Sequence, residues 1–286
     1  MRLGIFAKTF AGNAPRPVLQ AVRDAGYAAT QYNMACSGLP SLPVEIPPAV
    51  ADDIAAASGE TGVRVAAISA TYNMTHPDRA RRAAGRASFA AIAGIARRAG
   101  SDLVTVCSGS CDPEDQWRHH PDNDNPEVWD EMVAEFREIV RIAERHRVLI
   151  GVEPELANVV SSPARARKLI DLFPGGPIRI VFDAANLFEQ EDAAEAHAII
   201  DEAAEMLGPD IALAHAKDRH ANGDFATAGQ GVIDWPRYLA ALRRAGFDGA
   251  LVTHGLGAEE APGVARFLAG QIEAARIEAT RIGVVR

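Results

Sequence analysis

The chain has 286 residues, of which 48% are hydrophobic and 23% charged, with a formal net charge of −9 at pH 7. That length suits one α/β barrel of about 250 residues, the apolar fraction supports an ordinary globular core, and the acidic balance argues against a nucleic-acid binder, which needs a positive footprint to displace counterions. The start, Met1–Phe6, lacks a long apolar h-region, and no run of about 18 apolar residues occurs. The three cysteines, Cys36, Cys107 and Cys111, show no C-x-x-C spacing, so a reduced, cytoplasmic protein that does not enter the membrane is expected.

Short apolar runs alternate with longer segments of helical period. The first predicted strand, Leu3–Phe6, leads to a helix over Pro17–Ala25, and the second, Ala28–Tyr32, to a helix over Pro48–Ser58. Strand Val65–Ser69 precedes a long Ala- and Arg-rich helix, Asp78–Ala99. Strand Leu103–Cys107 precedes Pro126–Arg145, in which Met132, Phe136, Ile139, Val140 and Ala143 recur at spacings that make a core-facing stripe. Strand Leu149–Glu153 leads to Ser162–Phe173, which opens with a capping serine and a proline in the first turn. The last three units join Ile178–Phe182 to Ala193–Leu207, Ile211–Ala214 to Trp235–Ala245, and Ala250–Thr253 to Ala261–Arg281.

Most of these strands are apolar on both faces, as parallel strands covered on both sides are. Gly26, Gly62, Gly100 and Gly246 stand where helices end, and glycine suits the left-handed residue that closes a helix. Eight uninterrupted strand–helix units fit a closed barrel or a doubly wound sheet; eight favours closure, and no G-x-G-x-x-G follows the first strand. The expected fold is one α/β domain over residues 1–286, a (β/α)8 TIM barrel of parallel strands with outer helices. Two strand-to-helix connections, residues 108–125 and 218–234, exceed the usual length on the side where a barrel carries its active site, and both are candidate lids.

The ends of the last four strands carry Glu153, Asp183, His215 and His254. An Asp after a strand is commonly a helix cap, and a lone His commonly a hydrogen-bonded core residue. Four such residues at one register of successive strands form a mixed oxygen and nitrogen set, suited to one divalent ion such as Mn, Mg, Co or Zn. Glu155 would share the side of Glu153 if the strand persisted, as a second base, a substrate ligand or an orienting group, or else cap the next segment. Lys217 offers a cation to a substrate oxyanion, with a solvated loop charge as the alternative, and Asp218 a partner to orient His215. After the third strand, Asn73 and His76 would face the mouth and bind substrate hydroxyls, while Asp78 reads as an N-cap. In the long fourth loop, Trp117 offers an apolar face to a sugar ring, flanked by Arg118, His119 and His120. His146, His197 and His220 read as surface residues.

Taken together, Val152-Glu153-Pro154, Phe182-Asp183-Ala184-Ala185-Asn186, His215-Ala216-Lys217-Asp218, Gly229-Gln230-Gly231-Val232-Ile233-Asp234-Trp235 and Gly246-Phe247-Asp248-Gly249 resemble the xylose isomerase-like TIM-barrel superfamily, in its sugar phosphate isomerase/epimerase branch. In the ketose epimerases of that group a Glu, an Asp, a His and a second Glu hold the metal, and the two glutamates move the substrate proton on opposite faces. Glu153, Asp183 and His215 match the first three positions; the fourth is His254. The resemblance implies a metal-dependent isomerase or epimerase working through an enediolate on a keto sugar or keto polyol, with Glu153 in one proton-moving role; His254, able to relay a proton if not locked by the metal, and Lys217, read from its own position, complete the candidate catalytic set. A lyase or dehydratase of the inosose type would use the same site, and His254 in place of Glu keeps open a barrel that binds sugar or metal without turnover. Three-zinc phosphodiesterases of the endonuclease IV kind need many more ligands than eight histidines supply. A small polyhydroxylated substrate is the implied partner, and by analogy the barrel can form a homo-oligomer.

Overall fold

The computed structural model describes residues 1–281, and side chains through residue 277; positions 282–286 of the expected domain lie outside the described residues. Its strands are β1 (Arg2–Phe6), β2 (Ala29–Tyr32), β3 (Arg64–Ser69), β4 (Leu103–Cys107), β5 (Leu149–Glu153), β6 (Ile178–Asp183), β7 (Ile211–Ala216), the short β8 (Asp218–Arg219) and β9 (Phe225–Ala226), and β10 (Ala250–Thr253). The helices are α1 (Pro15–Asp24), α2 (Pro48–Thr61), α3 (Arg79–Ala96), α4 (Pro126–His146), α5 (Pro163–Asp171), α6 (Ala193–Leu207), α7 (Trp235–Arg244) and α8 (Ala261–Arg281). The eight longer strands close in the order β1-β10-β7-β6-β5-β4-β3-β2, and every pair between them is parallel. The molecule is a single (β/α)8 TIM barrel.

Two apolar layers hold it. Inside the barrel, Ala29, Ala67, Leu103, Val181, Leu213, Ala250 and Val252 form one buried cluster. Outside, the helices lay their apolar stripes on the staves; α4 buries Met132, Val133, Phe136, Ile139, Val140 and Ala143. Each fully buried large apolar side chain of this kind is worth about 1.5–3 kcal/mol over leaving it in water.

Helix ends follow local chemistry. Asp78 accepts from the Ala80 N–H at 2.8 Å, Ser162 from Arg165 at 3.3 Å, and Asp234 from Arg237 at 3.1 Å. Caps of this type contribute about 1 kcal/mol each. Asp78 and Ser162 are thus N-caps, as their residue types suggested, and α3 and α5 begin one residue later than expected, at Arg79 and Pro163. Gly26, Gly62, Gly100 and Gly246 all have positive φ, the backbone needed where a helix closes. Helix α4 closes the same way on Arg147, at φ 56°, a strained choice that no glycine announces.

Strands β6 and β7 run further than expected. Asp183 pairs with His215 in the ladder, and β7 continues to Ala216, because each has a barrel neighbour to satisfy its backbone. The two residues lie within strands rather than past them. The antiparallel hairpin of β8 and β9 was not foreseen: two strands of two residues carry no readable alternation.

Candidate metal centre

Glu153 ends β5, Asp183 ends β6, His215 is the penultimate residue of β7 and His254 follows β10, so four neighbouring staves deliver four donors to one mouth of the barrel. One ligand atom from each lies within 4.8 Å of the others. His215 Nδ1 is 3.2 Å from Glu153 Oε1 and 3.4 Å from Asp183 Oδ2, and His254 Nε2 is 3.1 Å from Asp183 Oδ2. Donors about 2.1 Å from a shared ion at tetrahedral angles stand about 3.4 Å apart, close to these three spacings. The donor set of two carboxylates and two imidazoles suits Mn, Mg, Co or Zn.

Electrostatics tie the four together. Burial alone would raise Asp183, yet Lys217 and the hydrogen bonds of His215 and His254 hold it well below the usual carboxylate range. Burial likewise opposes Glu153, which the His215 ring holds below its ordinary value. Burial resists the charging of His215, but Glu153 and Asp183 raise it to about 9. Burial and the charge of His215 lower His254, which stays neutral. Two ionised carboxylates in a buried pocket thus hold a proton between them where a cation fits.

Around this centre lies a further set of contacts. Asn186 sits one 3-10 turn past Asp183 and donates from Nδ2 to Glu153 Oε1 at 2.8 Å, while its Oδ1 accepts from Lys217 Nζ at 2.7 Å. Lys217 is buried, with Nζ 3.4 Å from Asp183 Oδ2 and 3.7 Å from the centre of the Phe225 ring. Phe225 is 51% exposed and also covers the Arg219 guanidinium at 4.2 Å. Arg219 donates to the Ala185 carbonyl at 2.9 Å and the Gly223 carbonyl at 2.6 Å, pinning the hairpin to the turn after β6. Glu155 is buried, and burial, reinforced by Glu153, pushes its carboxyl up to about 6.

Other sequence-selected residues stand elsewhere. Asn73 spends its side chain on the fourth loop: Nδ2 donates to the Ser110 carbonyl at 2.8 Å, and Oδ1 accepts from Ser110 N–H at 3.1 Å. His76 Nδ1 accepts from Asp78 N–H at 2.9 Å, and its Nε2 lies 3.0 Å from the Pro113 carbonyl. Together with Trp117, which is 48% exposed, they line a surface depression of about 340 Å³ that includes none of the four clustered donors. Loop 108–125 is fastened within itself by Ser110 to Arg118 and Asn123 to Ser110, and to the segment after β5 by Asn123 to the Ala157 carbonyl. Asp218 does not orient His215. Its buried carboxylate accepts from Gly229 N–H at 3.0 Å, Ile233 N–H at 3.1 Å and Trp235 Nε1 at 3.1 Å, drawing the seventh loop together. Gly231 is required there, since a Cβ would sit 2.2 Å from Asp218 Oδ1. His197 is buried rather than superficial, and its Nε2 accepts from Asp234 N–H at 2.8 Å ahead of α7.

The family model described as the xylose isomerase-like TIM barrel matches residues 19–270. The chain belongs to that family. No curated protein matches it. Among solved structures it is similar to a D-tagatose 3-epimerase-like protein (TM-score 0.76, 16% identity, 98% of this chain and 100% of that one). It is also similar to 3-keto-D-glucoside 4-epimerase from E. coli in its apo form (0.74, 15%, 94% and 99%). A third is the IOLI protein with a bound zinc atom (0.72, 18%, 96% and 99%). At these identities the likeness establishes the fold. Among the described residues of this barrel, no helix is long and apolar enough to cross a membrane.

Proposed function

We propose that this protein is a divalent-metal-dependent isomerase or epimerase that acts through an enediolate on a keto sugar or keto polyol. The observation that carries the reading is the convergence of Glu153, Asp183, His215 and His254 within 4.8 Å at the barrel mouth. The sugar epimerases among the similar structures support the substrate class. A divalent cation in this set supplies Lewis-acid polarisation of a carbonyl and stabilises developing enediolate charge. Glu153, ionised and oriented by the Asn186 amide, removes the proton beside that carbonyl. Lys217, held buried by Asn186 and Asp183, offers N–H to a substrate oxygen that gains charge. His254, neutral and bonded through one nitrogen to Asp183, completes the donor set and carries a proton only when released from it. Phe225 keeps water from the Lys217 ammonium.

A second reading is a lyase on the same site, and Glu155 favours it. A buried carboxyl raised to about 6 retains part of its proton near neutral pH and gives it to a departing β-hydroxyl. Solvent-deuterium incorporation into a panel of keto sugars and polyols, with Mn2+ added, tests both. Deuterium in recovered substrate or epimer supports the first reading, and a product lighter by one water supports the second. The Glu153→Gln variant is expected to retain metal and lose exchange. No exchange and no water loss across the panel, with metal bound, would remove the enolate chemistry.

A further inference from the structure

Gln31 lies on β2, three staves away from β7 around the barrel, yet its side chain crosses the interior to His215. Gln31 Oε1 is 2.9 Å from His215 Nε2, and Gln31 Nε2 donates to Thr105 Oγ1 on β4 at 3.1 Å. All three residues are buried. The β2–β3 ladder slips by one residue between Thr30 and Gln31, the kind of irregularity that re-aims a side chain next to a site. The opposite nitrogen of the ring, Nδ1, faces the Glu153 and Asp183 carboxylates.

We infer that Gln31 is a positioning residue for the metal centre, holding His215 as the tautomer with hydrogen on Nε2 and the Nδ1 lone pair free to bind a cation. A neutral imidazole carries one N–H, and a ring that donates from one nitrogen accepts or ligates from the other. An amide oxygen can only accept, so it fixes the hydrogen on Nε2. On the other side of the amide, Gln31 Nε2 donates to Thr105 Oγ1, and the oxygen is the end turned to His215. With the amide reversed, an N–H would meet Nε2, the hydrogen would shift to Nδ1, and the metal-facing nitrogen would be blocked. The two imidazoles then play different parts. His215 is hydrogen-bonded through both nitrogens, whereas among the described residues His254 is hydrogen-bonded through Nε2 to Asp183 alone. The inference rests on the cluster being a metal centre.

The test reads binding and spectroscopy rather than turnover. Zn2+ affinity is measured by chelator competition, and the His215 tautomer by long-range 1H–15N spectra, in the wild type, Gln31→Leu and Gln31→Glu. Outer-sphere partners of a metal-bound histidine are worth roughly 10–100-fold in metal affinity. Gln31→Leu should lose that much with its helical circular dichroism intact, and Gln31→Glu, which restores an acceptor, should recover most of it. Zn2+-loaded wild type should show Nε2–H on His215. A Zn2+-loaded wild-type His215 with hydrogen on Nδ1 would overturn the inference without reference to any variant, as would unchanged Zn2+ affinity in Gln31→Leu. Absence of Zn2+ binding in the wild type would instead bring down the metal centre itself.

Discussion

Cation binding at this site should displace one proton, and only one. Of the four clustered donors, Asp183 and Glu153 are held below their ordinary values and are ionised near neutral pH, and His254 is lowered and neutral. His215 alone, raised to about 9, carries a proton there that a ligand nitrogen must give up. At pH 7 a group of that pKa is roughly 99% protonated, so affinity should climb about tenfold per pH unit. Between pH 6 and 8 that amounts to about 100-fold, or about 2.7 kcal/mol. The same proton stabilises the metal-free fold. Because the folded value lies above the unfolded 6.5, the contribution is complete below about pH 6.5 and is lost as pH rises through about 9. Calorimetric titration with Mn2+ in buffers of different ionisation enthalpy counts the released protons directly. A stoichiometry near one, with a slope near one in log affinity against pH, is expected. Release of no proton, with affinity flat from pH 6 to 8, would refute the charge assignment of the cluster.

Three substitutions probe separate parts of the account. Asp218→Ala leaves three buried N–H donors, from Arg219, Ile233 and Trp235, without their acceptor, at about 1 kcal/mol or more each, and calorimetry should show the melting temperature falling by about 5 °C or more. His254→Ala removes a donor, so Mn2+ affinity should drop by more than the roughly 10–100-fold expected of an outer-sphere change; a smaller loss in the same titration would place His254 outside the donor set. Lys217→Met removes a buried cation beside Asp183, so the titration should show tighter Mn2+ binding while deuterium exchange slows by about 10²–10³-fold; parallel losses would mean that Lys217 only supports the fold.

Repeat architecture and the four clustered donors were legible because both are properties of strand ends. Parallel staves are apolar on both faces, so a charged residue at the end of an apolar run stands out, and four in succession mark one face of the barrel. Asn186 was in plain view three residues past Asp183, but its role depends on a 3-10 turn that aims it back at Glu153. Gln31 left a signal in being polar within Ala28–Tyr32; what it touches depends on the far wall of the barrel, which local pattern does not encode. Asn73, His76 and Asp218 show the converse. Each is a polar residue next to a strand end, as a ligand would be, and each has its hydrogen bonds committed to loop backbone. Spacing along a chain identifies polar groups near the mouth, and only the hydrogen-bond partners tell a site from its scaffolding.

The most direct measurement is anomalous diffraction from crystals soaked in Mn2+. One peak is expected at the barrel mouth, within bonding distance of Glu153, Asp183, His215 and His254. Crystals with no peak there, or with one held by other side chains, would contradict the claim that these four residues form a metal centre.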